Sequence, residues 1–362
     1  MAQSVYIHIP FCTKKCNYCS FVSYDTLNLK NIYLGALRQE IKANYKNEEL
    51  KTLYVGGGTP STLSISDFEQ IFECLNFNDK TEVTVEINPS GIKRHYLEGL
   101  RELGVNRLSI GVQVFDDEML KSIGRSHTTK DALRVIESAK NAGFDNISID
   151  LIYGLPAQTL ESYTQTLMTA VGLDVQHISL YGLKIEKGCN FYNHRPDFLP
   201  DDDAQADMYL LSKELLEKNG FKHYEISNFS KPGLESKHNL NYWNNGSYYG
   251  FGVAAHGYID NCRYANETNI DKYLLNPTES KQKTELTHQQ KLEEEIFLSF
   301  RKSEGIDVAD INKKFNINFE NDYSKIIEKY KSMGHLQKTG NGYKLTTEGV
   351  LLSNSLLAEF IK

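Results

Sequence analysis

The sequence predicts an α/β fold: an incomplete (β/α)6 barrel with a small α+β elaboration and a winged-helix-like C-terminal domain. Three observations carry that prediction. Strand and helix signals alternate six times in the first half of the chain, which means right-handed βαβ units and a parallel sheet. Six units rather than eight leave the barrel unclosed. The strand ends carry polar or glycine-rich runs, as expected where α/β folds place their chemistry. From about Leu286 the alternation stops, and three helical stretches and a hairpin follow. The division expected is 1–185 for the barrel, 186–285 for the elaboration and 286–362 for the C-terminal domain.

In order, residues 4–9 form the first strand, and Leu29, Tyr33, Leu37, Ile41 and Tyr45 recur every four positions as the stripe of a helix. Residues 52–55 make a strand opening onto Gly56-Gly57-Gly58, followed by a helix with Phe68, Ile71, Phe72 and Leu75 inward. A strand at 82–87 precedes a helix marked by Tyr96, Leu97, Leu100 and Leu103 and stopped by Gly104. Strands at 107–112 and 146–152 flank a helix over 129–142 closed by Gly143, and residues 177–181 are the sixth strand. The glycine run 250–257 reads as a loop near the mouth of the barrel. Helices are expected at 289–301, 307–315 and 322–333, then a hairpin of 336–338 and 343–345 turned by Gly340-Asn341-Gly342, and a last helix from 347. The third helix mixes Lys325, Lys329 and Lys331 with Asp322 and Glu328, which suits docking or covering a substrate better than binding DNA.

Composition narrows the function. A net charge of -7 over 362 residues argues against a large phosphate-binding surface, so no nucleic acid partner is expected. Residues 1–6 lack the pattern of a signal peptide, and no stretch approaches the roughly 18 apolar residues of a membrane span. Six cysteines do not make a disulfide scaffold, and the expectation is a cytoplasmic protein.

The chemistry gathers first at Cys12, Cys16 and Cys19, a C-x3-C-x2-C pattern directly after the first strand. Three soft thiolates so close in sequence can hold one metal centre. Zinc with a histidine as fourth ligand, or a disulfide plus a free thiol, are the plainer readings. With Tyr18 before the last cysteine and Gly56-Gly57-Gly58-Thr59-Pro60 after the next strand, the pattern resembles the radical S-adenosylmethionine (SAM) superfamily. That resemblance implies a 4Fe-4S cluster with one open iron, which chelates SAM. Gly57 and Gly58 then let backbone approach the ligand, Glu86 accepts from the ribose hydroxyls, and Arg125 neutralises the SAM carboxylate. Gln113 supplies a donor and an acceptor, and Asp150 faces a sulfonium or ammonium centre. Taken singly, a glycine run is more often a turn and a strand-end Glu a cap or ion-pair partner.

Tyr6-x-His-x-Pro-Phe-Cys, Glu86-x-Asn-Pro, Ser109-x-Gly-Val-Gln113, Gly124-Arg125 and Asp150-Leu-Ile-Tyr-Gly-Leu-Pro156 extend the likeness. Over nearly the whole chain they resemble the oxygen-independent coproporphyrinogen III oxidase group of radical SAM proteins, and within it the heme-chaperone branch. The resemblance implies that Cys12, Cys16 and Cys19 ligate the cluster and that Tyr6, Gly57 and Glu86 line a first SAM site. Tyr18, Gly58, Thr59, Gln113, Arg125 and Asp150 match positions that contact a second SAM in the oxidase. Phe21 stands where the oxidase has a further cysteine, and the oxidase's long N-terminal extension has no counterpart. Both departures lead away from oxidative decarboxylation, which is the alternative reading, and leave enzymatic activity open.

His238-Asn239-Leu240-Asn241-Tyr242-Trp243 resembles the H-N-x-x-Y-W element of the chaperone branch, where the histidine is associated with heme. The residues alone favour a different reading, with His238 capping a loop and the aromatics filling a small core; the resemblance makes His238 the heme ligand. His256 is a second choice, Cys189 and Cys262 sit in expected loops, and His8 and Cys74 read as packing. The implied cofactors are thus a 4Fe-4S cluster, SAM and heme. The implied partners are recipient hemoproteins such as respiratory enzymes and a reductant such as flavodoxin, ferredoxin or NADH. A homodimer and a peripheral membrane contact are compatible with this expectation.

Overall fold

The computed structural model describes residues 2–279 and 282–361. Its first half is a run of strand–helix units: β1 (Ser4–Ile9), α1 (Lys30–Asn44), β2 (Thr52–Gly57), α2 (Ile65–Phe72), β3 (Glu82–Ile87), α3 (Arg94–Glu102), β4 (Arg107–Gln113), α4 (Asp117–Ser122), α5 (Thr129–Asn141), β5 (Ile147–Tyr153), α6 (Leu160–Gly172) and β6 (His177–Gly182). Local chemistry sets these boundaries. Capping boxes start α2 (Ser64 with Asp67), α5 (Thr128 with Asp131) and α6 (Thr159 with Ser162), each satisfying two amides that would otherwise be orphaned. Gly104 and Gly143 follow α3 and α5 at φ +91 and +86, a conformation that ends a helix at little cost only for glycine.

Strands β1 to β6 pair in parallel in chain order. Their alternate residues divide the sheet into two faces. Leu53, Val55, Val83, Val85, Leu108, Ile110, Ile147 and Ile149 are fully buried in the main apolar core with Phe68, Leu97, Val135 and Leu167 of the helices. At roughly 1.5–3 kcal/mol per fully buried side chain, this layer is the main source of stability for the unit. The opposite face carries Tyr6, His8, Tyr54, Glu86, Arg107, Ser109, Asp150, Ser179 and Tyr181, and encloses a polar lumen.

The sheet is wider than the six strands expected. Its order is β7-β8-β6-β5-β4-β3-β2-β1-β9, nine strands whose outermost members, β7 and β9, are not joined to each other, so the barrel is open. After α7 (Asn190–Asn193) and α8 (Asp202–Lys218), β7 (Lys222–Glu225) and β8 (Asn228–Ser230) add an antiparallel flap to β6. Following α9 (Lys237–Trp243), β9 (Tyr249–Phe251) pairs parallel to β1 on the other edge, with Gly250 opposite Tyr6. The run expected to be a glycine loop is therefore partly a strand. Its glycines are needed for crowding: a Cβ on Gly250 would collide with the His256 carbonyl, and one on Gly252 would sit 2.6 Å from the His8 oxygen. A three-stranded antiparallel sheet of β10 (His256–Ile259), β11 (Cys262–Ala265) and β12 (Gln282–Glu285) follows, with α10 (Ile270–Leu275) between its last two strands. Cys262 thus begins a strand rather than lying in a loop.

The C-terminal part has its own core, centred on Ile296, Phe300, Phe319, Leu356 and Leu357. Helices His288–Ser299 and Val308–Phe315 form as expected, but the third is split into Phe319–Asp322 and Ser324–Ser332 by Tyr323, whose φ and ψ of -116 and 15 are not helical. The wing has three strands, because Ile306–Asp307 pairs with Gly342–Leu345, which pairs with Leu336–Lys338. Among the described residues no helix is long and apolar enough to cross a membrane.

Candidate functional site

The three cysteines lie on one loop at the carboxyl end of β1, partly exposed and free of disulfides. Backbone bonds fix the loop at both ends. Cys12 N–H donates to the Tyr24 carbonyl at 3.0 Å, and Asn17 N–H and Nδ2 donate to Ile123 and Ser122 carbonyls at 3.0 and 2.9 Å. The glycine run of β2 packs directly beneath: Gly58 N–H donates to the Ile9 carbonyl at 2.8 Å and Thr59 N–H to that of Phe11 at 2.7 Å. A Cβ on Gly58 would lie 2.9 Å from the Phe11 oxygen, so only glycine admits this approach.

Two donors point at the sulfurs. Thr59 Oγ1 lies 3.4 Å from Cys12 Sγ, and Arg125 Nη1 lies 3.6 Å from Cys16 Sγ. Burial raises the Cys19 thiol, and burial also raises the Tyr18 hydroxyl while Arg125 opposes it. Three unpaired thiols with hydrogen-bond donors aimed at them are a donor set that fits an iron–sulfur cluster. Among the described residues no three His, Cys, Asp or Glu side chains converge on one metal ion.

Next to this loop the lumen wall is built from β1 to β5. Gly57, at φ +115, donates its N–H to Glu86 Oε2 at 3.1 Å, and Tyr54 hydroxyl donates to Glu86 Oε1 at 2.9 Å. Burial, reinforced by the charge of Asp150, raises the Glu86 carboxyl to about 7. Tyr6 hydroxyl is 3.0 Å from His8 Nδ1, and His8 Nε2 is 2.9 Å from the Val22 carbonyl. Asp150, also raised by burial, accepts from Ser109 Oγ at 3.1 Å. A bulge in β4 turns Gln113 to φ +70, and Arg125 spans it by donating Nη2–H to the Gly111 carbonyl at 2.8 Å. Tyr6, Tyr18, Gly57, Gly58, Thr59, Glu86, Gln113, Arg125 and Asp150 are thus gathered on the lumen face and its rim around the cysteine loop. Tyr54 and His127 belong to the same network and went unnoticed in the sequence. Tyr54 could have been found from its alternation with Leu53 and Val55; His127, 3.2 Å from Arg125 Nε and held neutral by burial to about 4, carries no comparable signal.

His238 is placed elsewhere. It is the second residue of α9, whose N-terminus is plugged into the amino ends of β2 and β3: Lys237 and His238 N–H donate to Glu82 Oε2 and Oε1 at 3.1 and 3.0 Å. The imidazole is 1% exposed, with Nδ1 2.8 Å from Thr52 Oγ1 and Nε2 2.8 Å from Tyr242 hydroxyl. Burial lowers it to about 3, so the ring is neutral and both nitrogens are already engaged. An axial ligand needs a free nitrogen facing open space. The structure therefore does not fit His238 as a heme ligand, and the histidine does not cap a loop either: it lies within α9, where Ser236 is the cap, and its ring packs among aromatics. His256 is exposed at the start of β10, and Cys189 is buried beside Phe191.

Residues 6–170 match the model of the radical SAM superfamily, and residues 286–352 match the HemN C-terminal domain. The chain is 38% identical over 375 residues to the heme chaperone HemW of Bacillus subtilis (strain 168), covering 99% of both chains. It is 39% identical over 369 residues to that of Lactococcus lactis subsp. lactis (strain IL1403), covering 99% of this chain and 97% of the relative. Coproporphyrinogen III oxidase (HemN) from Escherichia coli superposes with a TM-score of 0.89 over 100% of this chain and 90% of its own, at 24% identity, and so shares the fold.

Proposed function

The chain belongs to the HemW family of the radical SAM superfamily, and on that premise we propose that it is a heme chaperone carrying a 4Fe-4S cluster and SAM. The observation that carries the proposal is the union of the cysteine loop with the Gly57–Glu86–Tyr54 wall at one mouth of the lumen. Cys12, Cys16 and Cys19 would hold the cluster, which supplies an open iron and one-electron chemistry when bound. Tyr6, Gly57 and Glu86 would line the first SAM site, with Glu86 already oriented by two donors to accept from hydroxyls. Tyr18, Gly58, Thr59, Gln113, Arg125 and Asp150 form the adjoining wall, where Arg125 places a cation beside Cys16 and Thr59 a hydroxyl beside Cys12. The recipients are hemoproteins and the reductant is a small electron carrier. His238 is not assigned the iron.

Oxidative decarboxylation is the competing activity on the same fold. Phe21, at the position of the oxidase's further cysteine, is 67% exposed and cannot contribute a thiolate. The test is anaerobic reconstitution of the full chain with iron and sulfide, followed by titration with SAM and hemin and by incubation with an apo-hemoprotein. Equal iron and sulfide, a SAM-dependent change in the EPR signal of the reduced protein, a Soret band and heme transfer are expected. A colourless protein lacking sulfide would refute the proposal, and formation of protoporphyrinogen from coproporphyrinogen III would move the chain to the oxidases.

A further inference from the structure

The H-N-x-x-Y-W element is joined to the lumen wall by a continuous chain of rings. Tyr248 lies 4.6 Å from Tyr242, and Tyr242 lies 4.8 Å from His238, both edge to face. His238 stacks on Tyr54 at 5.1 Å and 25°, and Tyr54 stacks on Tyr6 at 6.1 Å and 28°. Tyr54 ends the chain with a polar contact, donating to Glu86 Oε1 at 2.9 Å. The far side of His238 is clamped: Thr52 Oγ1 holds Nδ1, Tyr242 hydroxyl holds Nε2, and Glu82 holds its backbone N–H. Thr52 and Tyr54 belong to β2, and Glu82 and Glu86 belong to β3, so the histidine is fastened to the two strands that present the Glu86 carboxylate. Glu86 has little room of its own, since a Cβ on Gly56 would lie 2.8 Å from its Oε1 and 2.9 Å from the Tyr54 ring.

We propose that His238 is a positioning residue for the SAM site: it sets the tilt of Tyr54, and through that hydroxyl the orientation of Glu86. The role rests on the proposed function only in naming SAM as what Glu86 holds. It also accounts for where the histidine sits. In α/β barrels the carboxyl ends of the strands carry ligand chemistry and the amino ends carry stability, and His238 is at the amino ends of β2 and β3. For the ring to reach a porphyrin iron it would have to leave a buried site and abandon both nitrogen partners. As a strut it keeps them, and the motif's i, i+4 spacing of histidine and tyrosine is what brings Tyr242 hydroxyl onto Nε2. Stacking transmits position because ring planes in van der Waals contact cannot tilt independently.

The test uses anaerobically reconstituted full-length protein, with SAM affinity measured by equilibrium dialysis and bound hemin characterised by its Soret maximum and EPR axial signature. His238→Ala is expected to weaken SAM binding about tenfold and to leave the hemin spectra unchanged. Tyr54→Phe, which deletes only the hydroxyl, is expected to weaken SAM binding to a similar extent. The double variant is expected to lose little more than either alone, a non-additivity that general destabilisation would not produce. Thr52→Val removes the Nδ1 partner without touching a ring; it is expected to weaken SAM binding severalfold and carries the comparison if His238→Ala does not fold. SAM affinity within twofold of the unmodified protein, additive losses in the double variant, or a shifted or missing heme band in folded His238→Ala overturns the inference. Unmodified protein that binds no SAM at all would instead refute the functional proposal on which it rests.

Discussion

Gly57→Ala makes the heaviest demand on this site. Gly57 adopts φ +115, and an added Cβ would lie 2.6 Å from both Cε1 and Nδ1 of His8. The imidazole cannot step aside cheaply, because Tyr6 hydroxyl holds Nδ1 at 3.0 Å and the Val22 carbonyl holds Nε2 at 2.9 Å. Backbone strain of about 1–3 kcal/mol adds to the loss of two hydrogen bonds at about 1 kcal/mol each, for a total of about 3–5 kcal/mol. Gly91→Ala is the control: its φ is +74 but nothing lies within 4 Å of the new Cβ, so only the backbone strain applies. Urea unfolding of the two variants beside wild type should therefore show Gly57→Ala below Gly91→Ala by about 2 kcal/mol. SAM affinity should fall in Gly57→Ala alone, since relieving the clash with His8 shifts the backbone N–H that donates to Glu86 Oε2. Equal stability of the two variants would refute the reasoning, because it would mean that His8 is not locked in place.

Two further outcomes depend on buried carboxyls. Glu40 accepts from Gly252 N–H, Asn266 Nδ2 and Tyr273 hydroxyl at 2.8, 2.6 and 2.6 Å, tying β9 and α10 to α1, and burial raises its carboxyl to about 7. A raised folded-state value gives stability that is full below the unfolded value near 4.5 and is lost as pH rises through about 7. The stability difference between wild type and Glu40→Gln should therefore move against wild type from pH 4.5 to 7 in urea titrations, and a constant gap would contradict it. Glu86, also raised to about 7, accepts best from hydroxyls when ionised, so SAM affinity should strengthen as pH rises through about 7 and Glu86→Gln should abolish that dependence. An unchanged pH profile in the variant would remove Glu86 from the binding role.

Much of the barrel was legible in the residues because its signals are local. Apolar alternation in β1 to β6 and stop glycines such as Gly104 depend on neighbours within a few positions. The cysteine loop and the glycine run are legible for the same reason, since spacing and residue type restrict what they can bind. Strand β9 was missed because three residues in a glycine-containing run are too few to show a periodicity; what makes them a strand is the edge of β1, over two hundred positions earlier.

His238 marks the boundary between the two kinds of information. Its motif and its aromatic company were present in the chain, and likeness to a family pointed that histidine at iron. Whether an imidazole is a ligand or a strut depends on what occupies its two nitrogens, and here those partners come from a strand beginning at Thr52 and from the next turn of its own helix. Residue type and spacing determined what could be built at each strand end. Only folding decided which donor met which acceptor, because hydrogen bonds and stacked rings join positions that chain order leaves far apart.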